Sequence, residues 1–380
     1  MGDETAIMRS RATDVVLSAS DAAELLKRYG RFRTLREKLS RYADPKDLRD
    51  RLVDGLADNH PEMKRESIER NVRNWMNDNA GQTIARRTVM EICFILQLDF
   101  ESADELMALV TDERFRWRDP QECAMAFAIK SGMSYAEARA LESRAAELMA
   151  RRDDAGSNRV RTKDVQRDAL ACETAEELLA YIAANAERFG RERNTAFAFF
   201  ERFMSILEEP EEVAQNTPRE RRMTVREVLQ DYLHRDLVPV AAKRNKRESE
   251  EEGITRAQRA AMAEIRANWP DESMISRMKN RSANVTRKTL ILLFLATDGG
   301  GDGEYDPEVD DPNMELSREQ LFEDSMMRMN LMLSACGFRE IDPRNAFDWM
   351  ILYAMSVDAT YEIDEKLDAI LEAIFPFQNA

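Results

Sequence analysis

Two stretches of this chain, TIARRTVMEICFIL from Thr83 and VTRKTLILLFLAT from Val285, follow one template. A small or hydroxyl residue precedes two basic residues, a threonine and a run of large apolar side chains, so that Arg86-Arg87-Thr88 stands over Arg287-Lys288-Thr289. An internal repeat constrains a fold more than composition does, because whatever buries one copy must have a counterpart for the other. The correspondence continues downstream. Phe100-Glu101 matches Phe322-Glu323, Phe115 matches Phe338, and Asp119-Pro120 matches Asp342-Pro343, the last two at one shared offset. Upstream, DAAELLKRYG from Asp21 resembles TAEELLAYIA from Thr174.

The pattern predicts a tail over 1–19, a helical unit over 20–150, a polar linker over 151–172 and a second helical unit over 173–380. The second unit carries a basic segment at 243–247 and an acidic, glycine-rich insert at 298–316. The insert has few apolar residues to offset its ordering entropy and is expected to be flexible and dispensable.

The expected fold class is all-α, a tandem repeat of multi-helix units. Strong helix formers dominate, Gly and Pro number only 13 and 11, and alternating β-type runs are scarce. Helix starts are punctuated by capping-box patterns at Asp21, Ser134, Thr174, Thr224 and Ser317, each with a carboxylate or amide three residues on. Asp119-Pro120 and Asp342-Pro343 read as an Asp cap with Pro in the first helical position. Phe199, Phe200 and Phe203 read as a core stripe, and the Met-rich SMMRMNLML as core filling.

The formal net charge of −16 argues against indiscriminate nucleic-acid binding. Cys93, Cys123, Cys172 and Cys336 lie far apart in apolar patterns, as reduced buried thiols would, and suit a cytoplasmic chain. No apolar run reaches membrane length, and MGDETAIMRS lacks a signal core. With two histidines, His60 and His234, both expected at the surface or at helix ends, neither a zinc set nor a nucleophilic triad is expected. Tyr232-Leu233-His234-Arg235-Asp236 imitates a kinase catalytic loop, but Ala241 occupies the metal-binding Asn position. The insert imitates a calcium loop. Counted from Asp298, however, the twelfth position is Val309, and counted from Asp302 the sixth is Pro307. No catalytic residue, cofactor or metal is therefore assigned.

Five consecutive helical segments in unit one are FRTLREKLSRYA, DPKDLRDRLVDGLADN, ESIERNVRNWMND, ARRTVMEICFILQL and DFESADELMALV. VRNWMN ends the third of them, and in unit two ISRMKN precedes RKTLILLFLAT in the same way. This order resembles the lambda-repressor-like (Cro/repressor-type, XRE) helix-turn-helix family, over roughly 60 residues per unit. The resemblance implies a third helix lying in the major groove of duplex DNA. Ser67, Arg70, Asn71 and Arg73, with Asn74, would be presented in unit one, and Arg277, Lys279, Arg281, Arg287 and Lys288 in unit two. Glu66 and Glu69 oppose phosphate in unit one, whereas Ser273–Lys288 contains no acid, so unit two is the expected electrostatic favourite. The implied function is a non-enzymatic, transcriptional-regulator-like DNA binder. The alternative is a scaffold that reuses the fold for a protein partner, with Arg344, Asp348 and Trp349 of DPRNAFDWMILYAM partly exposed as its surface.

Overall fold

A computed structural model of the chain describes residues 3–14, 16–29, 35–76, 84–150, 162–190, 194–208, 222–239, 262–267, 269–297, 317–356 and 362–375. Among them the protein is all-α, with no strand beyond an isolated bridge between Glu113 and Phe338. The basic segment 243–247 and the insert 298–316 lie outside the described residues. In chain order the helices are α1 (Asp3–Ala12), α2 (Ala19–Tyr29), α3 (Leu35–Leu39), α4 (Leu48–Asn59), α5 (Arg65–Met76), α6 (Arg86–Ile95), α7 (Phe100–Thr111), α8 (Pro120–Lys130) and α9 (Tyr135–Ala150). They continue as α10 (Thr162–Ala171), α11 (Ala175–Ala184), α12 (Asn194–Glu208), α13 (Val225–Asp231), α14 (Glu272–Lys279), α15 (Arg287–Ala296), α16 (Arg318–Ala335), α17 (Ala346–Met355) and α18 (Ile363–Ile374).

The chain forms two compact bodies whose boundaries differ from the expected 20–150 and 173–380. The first comprises Arg33–Asn194 with Ser334–Arg339; the second comprises Met1–Phe32, Thr195–Leu333 and Glu340–Ala380. Apolar burial explains both shifts. Half of the expected linker is α10, which with α11 buries Val165, Ala169, Leu178, Leu179 and Ile182 in the core that α8 and α9 share. The expected tail is α1, which packs on α17, while α2 packs on α18. In this second body the indole N–H of Trp349 donates to the Met8 carbonyl at 2.9 Å, the Tyr353 hydroxyl to that of Leu17 at 3.0 Å, and the Ser356 hydroxyl to that of Ala12 at 3.0 Å. Each body thus joins the core of one half of the chain to the N-terminal helix pair of the other.

Local capping chemistry sets most helix starts. At Thr224, Ser134 and Ser317 the cap and the third helical residue satisfy each other's backbone N–H groups. Two starts fall elsewhere. The hydroxyl of Ser18, not the carboxylate of Asp21, caps α2, accepting the Asp21 N–H at 3.1 Å. Asp119 caps α8 with Pro120 in the first turn, but the matching Asp342-Pro343 forms a turn and Asn345 caps α17. The aromatic stripe of α12 is Phe197, Phe200 and Phe203, with Phe199 half-buried. In α16, Met329 and Met332 are core, whereas Met327 and Leu331 are exposed.

In the first body α4 packs against α6 with Gly55 facing Ile95. A Cβ there would lie 2.6 and 2.7 Å from the γ-carbons of Ile95, a stiff β-branched side chain. Gly55→Ala is expected to destabilise by about 1–3 kcal/mol despite its better helix propensity; denaturant unfolding at or above wild-type stability would refute the close approach. Deleting residues 1–32 is expected to lower the unfolding midpoint of the second body and spare that of the first. A calorimetric scan in which both transitions move together, or neither does, would contradict the exchange of helix pairs.

Candidate nucleic-acid interface

The chain around α5 folds for local reasons. The α4–α5 turn closes when the Met63 N–H donates to the His60 carbonyl at 2.9 Å, and the Ser67 N–H donates to the Lys64 carbonyl as the new helix begins. Ile68 and Val72 face the core formed with Leu52, Val53, Leu56 and Val89, which turns the opposite side of α5 outward. That outward face carries Arg70, Arg73 and Asn74, all exposed, with Ser67 and Asn71 half-buried beside them. The structure therefore brings all four predicted unit-one residues onto one accessible face. Of the two opposing acids, Glu69 is engaged by Arg65 at 3.5 Å, which also holds Asp54 at 2.5 Å; Glu66 stays on the face.

Most of the cations expected on the outer face of unit two are instead used inside the second body. Lys279 reaches the nearly fully buried Glu208 at 2.5 Å, and Arg222 holds the other oxygen of that carboxylate at 2.8 Å. Arg281 pairs with Glu201 at 2.9 Å and lies over the Phe197 ring. Lys288 donates to the carbonyls of Glu264, Ile265 and Ala267 and sits 4.5 Å from the centre of the Phe347 ring. This is a cationic cap on the C-terminal end of the helical stretch 262–266. Arg287 is buried. Arg277 keeps the exposed character expected of a phosphate contact, and Lys279 is exposed as well but is held by Glu208.

Arg287 meets Asp348 in a two-pronged pair at 2.7 and 2.9 Å, and also donates to the Glu340 carbonyl at 3.1 Å. Arg86 does the same in the first body, binding Glu122 through two 2.7 Å bonds and the Arg114 carbonyl at 2.5 Å. Each carboxylate accepts one further backbone N–H, from Asp342 and from Arg116, both at 2.9 Å. Asn330 accepts the Ile341 N–H at 2.9 Å as Asp104 accepts that of Phe115 at 3.0 Å. These matched bonds run three residues later in the second half than the shared Phe and Asp-Pro letters indicate.

The partner surface expected at Arg344, Asp348 and Trp349 is corrected. Asp348 is 0% and Trp349 1% exposed, the first bound by Arg287 and the second stacked on Tyr353 and covered by α1; only Arg344 is partly exposed. His234 is likewise buried, on a left-handed backbone residue, between Asp364 and Asp368 of α18. Burial pushes the Asp364 carboxyl above its ordinary range, partly opposed by His234. Burial raises the Cys93 thiol to about 12, which suits packing and not nucleophilic chemistry. Among the described residues no group of three His, Cys, Asp or Glu side chains is placed to hold a metal ion, and no helix is long and apolar enough to cross a membrane.

One arrangement had no legible signal in the sequence. His60, the C-cap of α4, reaches the buried Glu91 of α6, which also accepts a 2.9 Å bond from the Asn59 amide. Glu91 lies inside an apolar run, and only tertiary packing brings it under the α4–α5 turn.

The Arg287–Asp348 pair gives a direct test. Arg287→Ala or Asp348→Ala alone leaves an uncompensated buried charge and is expected to cost about 3–5 kcal/mol, whereas Arg287→Met with Asp348→Leu is expected to cost far less. Equal losses in urea unfolding for the single variants and the double variant would show that the pair does not act as a unit.

Comparison with known proteins returns no matching family model, no matching curated protein and no matching solved structure.

Proposed function

We propose that the five-helix segment 35–111 binds duplex DNA through the outward face of α5, and that the chain is a non-enzymatic regulator of the transcriptional type. The observation that carries this reading is the composition and freedom of that face. Arg70 and Arg73 have no ion pair among the described residues, and Asn71, Asn74 and Ser67 lie beside them on the helix. Arginine and asparagine are the side chains that read guanine and adenine edges two-pronged in the major groove, and flanking arginines hold phosphates. The helix precedes α6 and follows a tight turn from α4, the order on which the resemblance to lambda-repressor-like proteins rests. The matched arginine–carboxylate anchors support reading the two halves as diverged copies of one unit. In the second copy the cations serve packing, and DNA contact falls to the first. The alternative, a partner surface centred on Trp349, has lost its support because that side chain is core.

The test is retention of the full chain on random duplex DNA at low and at physiological salt. Each of Arg70→Ala and Arg73→Ala is expected to weaken binding on all sequences and lower the salt slope by about one unit. Asn71→Ala or Asn74→Ala is expected to reduce discrimination between sequences more than affinity. Arg277→Ala is expected to leave binding unchanged. Absence of duplex binding at low salt, or binding indifferent to Arg70→Glu with Arg73→Glu, would overturn the reading.

A further inference from the structure

The α4–α5 turn is closed by an ionisable clasp. His60 ends α4; its Nε2 lies 3.0 Å from one carboxylate oxygen of Glu91 on α6, and its Nδ1 lies 3.3 Å from Glu62 within the turn. Asn59 donates to the same Glu91 at 2.9 Å, so two successive residues of the turn are fastened to one buried carboxylate. A cavity of about 610 Å³ opens beside the imidazole and gives water access to it. Asp58 of α4, Arg87 of α6, and Tyr135 and Arg139 of α9 line that cavity, and both arginines are engaged by Glu142 of α9. The groups that meet the ring itself are therefore two carboxylates, while the two nearby arginines are held by a third, Glu142.

We propose that this clasp makes the seating of α5 depend on one proton: with His60 protonated the turn is held to α6, and with His60 neutral the turn is released. The chemistry follows from the ring. An imidazolium donates from both nitrogens and satisfies Glu91 and Glu62 together. A neutral imidazole donates from one only and turns a lone pair toward the other carboxylate. Its place at the C-terminal end of α4, where the helix dipole favours a cation, works in the same direction. Burial pulls the His60 imidazole down, but the Glu91 hydrogen bond and charge, followed by Glu62, outweigh it and leave the group above its ordinary 6.5. Because the folded value is the raised one, the clasp contributes fully below the unfolded value, and its contribution is lost as pH rises from 6.5 through the folded value. Since Ser67, Arg70 and Asn74 follow this turn directly on α5, the effect on DNA binding rests on the reading given above.

The chain has two histidines, so imidazole NMR of the intact protein resolves His60 by comparison with His60→Gln. Trp75, half-buried on α5, reports the seating of that helix through 5-fluorotryptophan labelling, assigned with Trp75→Phe. The expected result is that His60 titrates above 6.5 and the Trp75 resonance moves along the same curve. Glu91→Gln, which keeps the Asn59 hydrogen bond, is expected to lower the His60 midpoint by about one unit and to shift the Trp75 curve with it. A His60 midpoint at or below 6.5, or a Trp75 signal that stays still through the His60 titration, overturns the proposal. Random duplex binding measured between pH 6 and pH 8 at fixed salt adds a separate arm. Severalfold weakening in wild type that His60→Gln abolishes supports the coupling to DNA, and unchanged binding overturns that coupling. No binding at either pH, with Trp75 still following His60, removes the DNA reading and supports the clasp alone.

Discussion

The fold turns on a guanidinium–carboxylate pair made once in each body, partly buried in the first and buried in the second. Arg86 with Glu122 and Arg287 with Asp348 join the first turn of one helix to the first turn of another, across a connection whose backbone donates to the same carboxylate. Such a pair is poor at adding stability, since removing both charges from water costs about as much as their attraction returns. What it supplies is specification. A guanidinium bound at a carboxylate and at a backbone carbonyl tolerates one arrangement of α6 on α8, and one of α15 on α17. Everything carried on those helices is placed by that choice.

This use of arginine also explains where charge in the sequence misled. The segment Ser273–Lys288 contains cations and no acids, and read alone it is the better phosphate surface. Its counter-charges come from far along the chain: Glu208 for Lys279, Glu201 for Arg281, Asp348 for Arg287 and three backbone carbonyls for Lys288. An acid-free stretch in a chain of net charge −16 is where a fold draws its internal partners, because the neutralising carboxylates are in excess elsewhere. The mixed helix α5 looked weaker on paper, yet one of its acids is engaged by Arg65 and the arginines beyond remain outward.

What was legible followed from short-range chemistry. The all-α class, the boxes at Ser134, Thr224 and Ser317 and the outward face of α5 are fixed by residues within two turns of each other. The start of α17 was misread because Asp342 is held by Asp348 in a turn, a contact that identical Asp-Pro letters do not reveal. The unit boundaries were misread because sequence order does not say which core a helix covers. DAAELLKRYG and TAEELLAYIA resemble each other, and α2 and α11 each cover the last helix of a helical pair, but each does so in the body built from the other half.

That exchange bears on where the two halves differ. A helix pair that must fit the hairpin of the other half couples the two sequences, so the anchors and the apolar contacts beneath them are shared constraints. The outer face of the third helix carries no such coupling. In the first half it keeps arginine and asparagine on a solvent-facing surface, where Arg70 and Arg73 make no ion pair among the described residues. At physiological ionic strength the repulsion of the whole molecule fades within about 8 Å, so under the proposed function a duplex would meet the local face of α5 and not the net charge. A compact cationic face on a turn-anchored helix is thus compatible with an acidic protein, provided the turn that seats it holds.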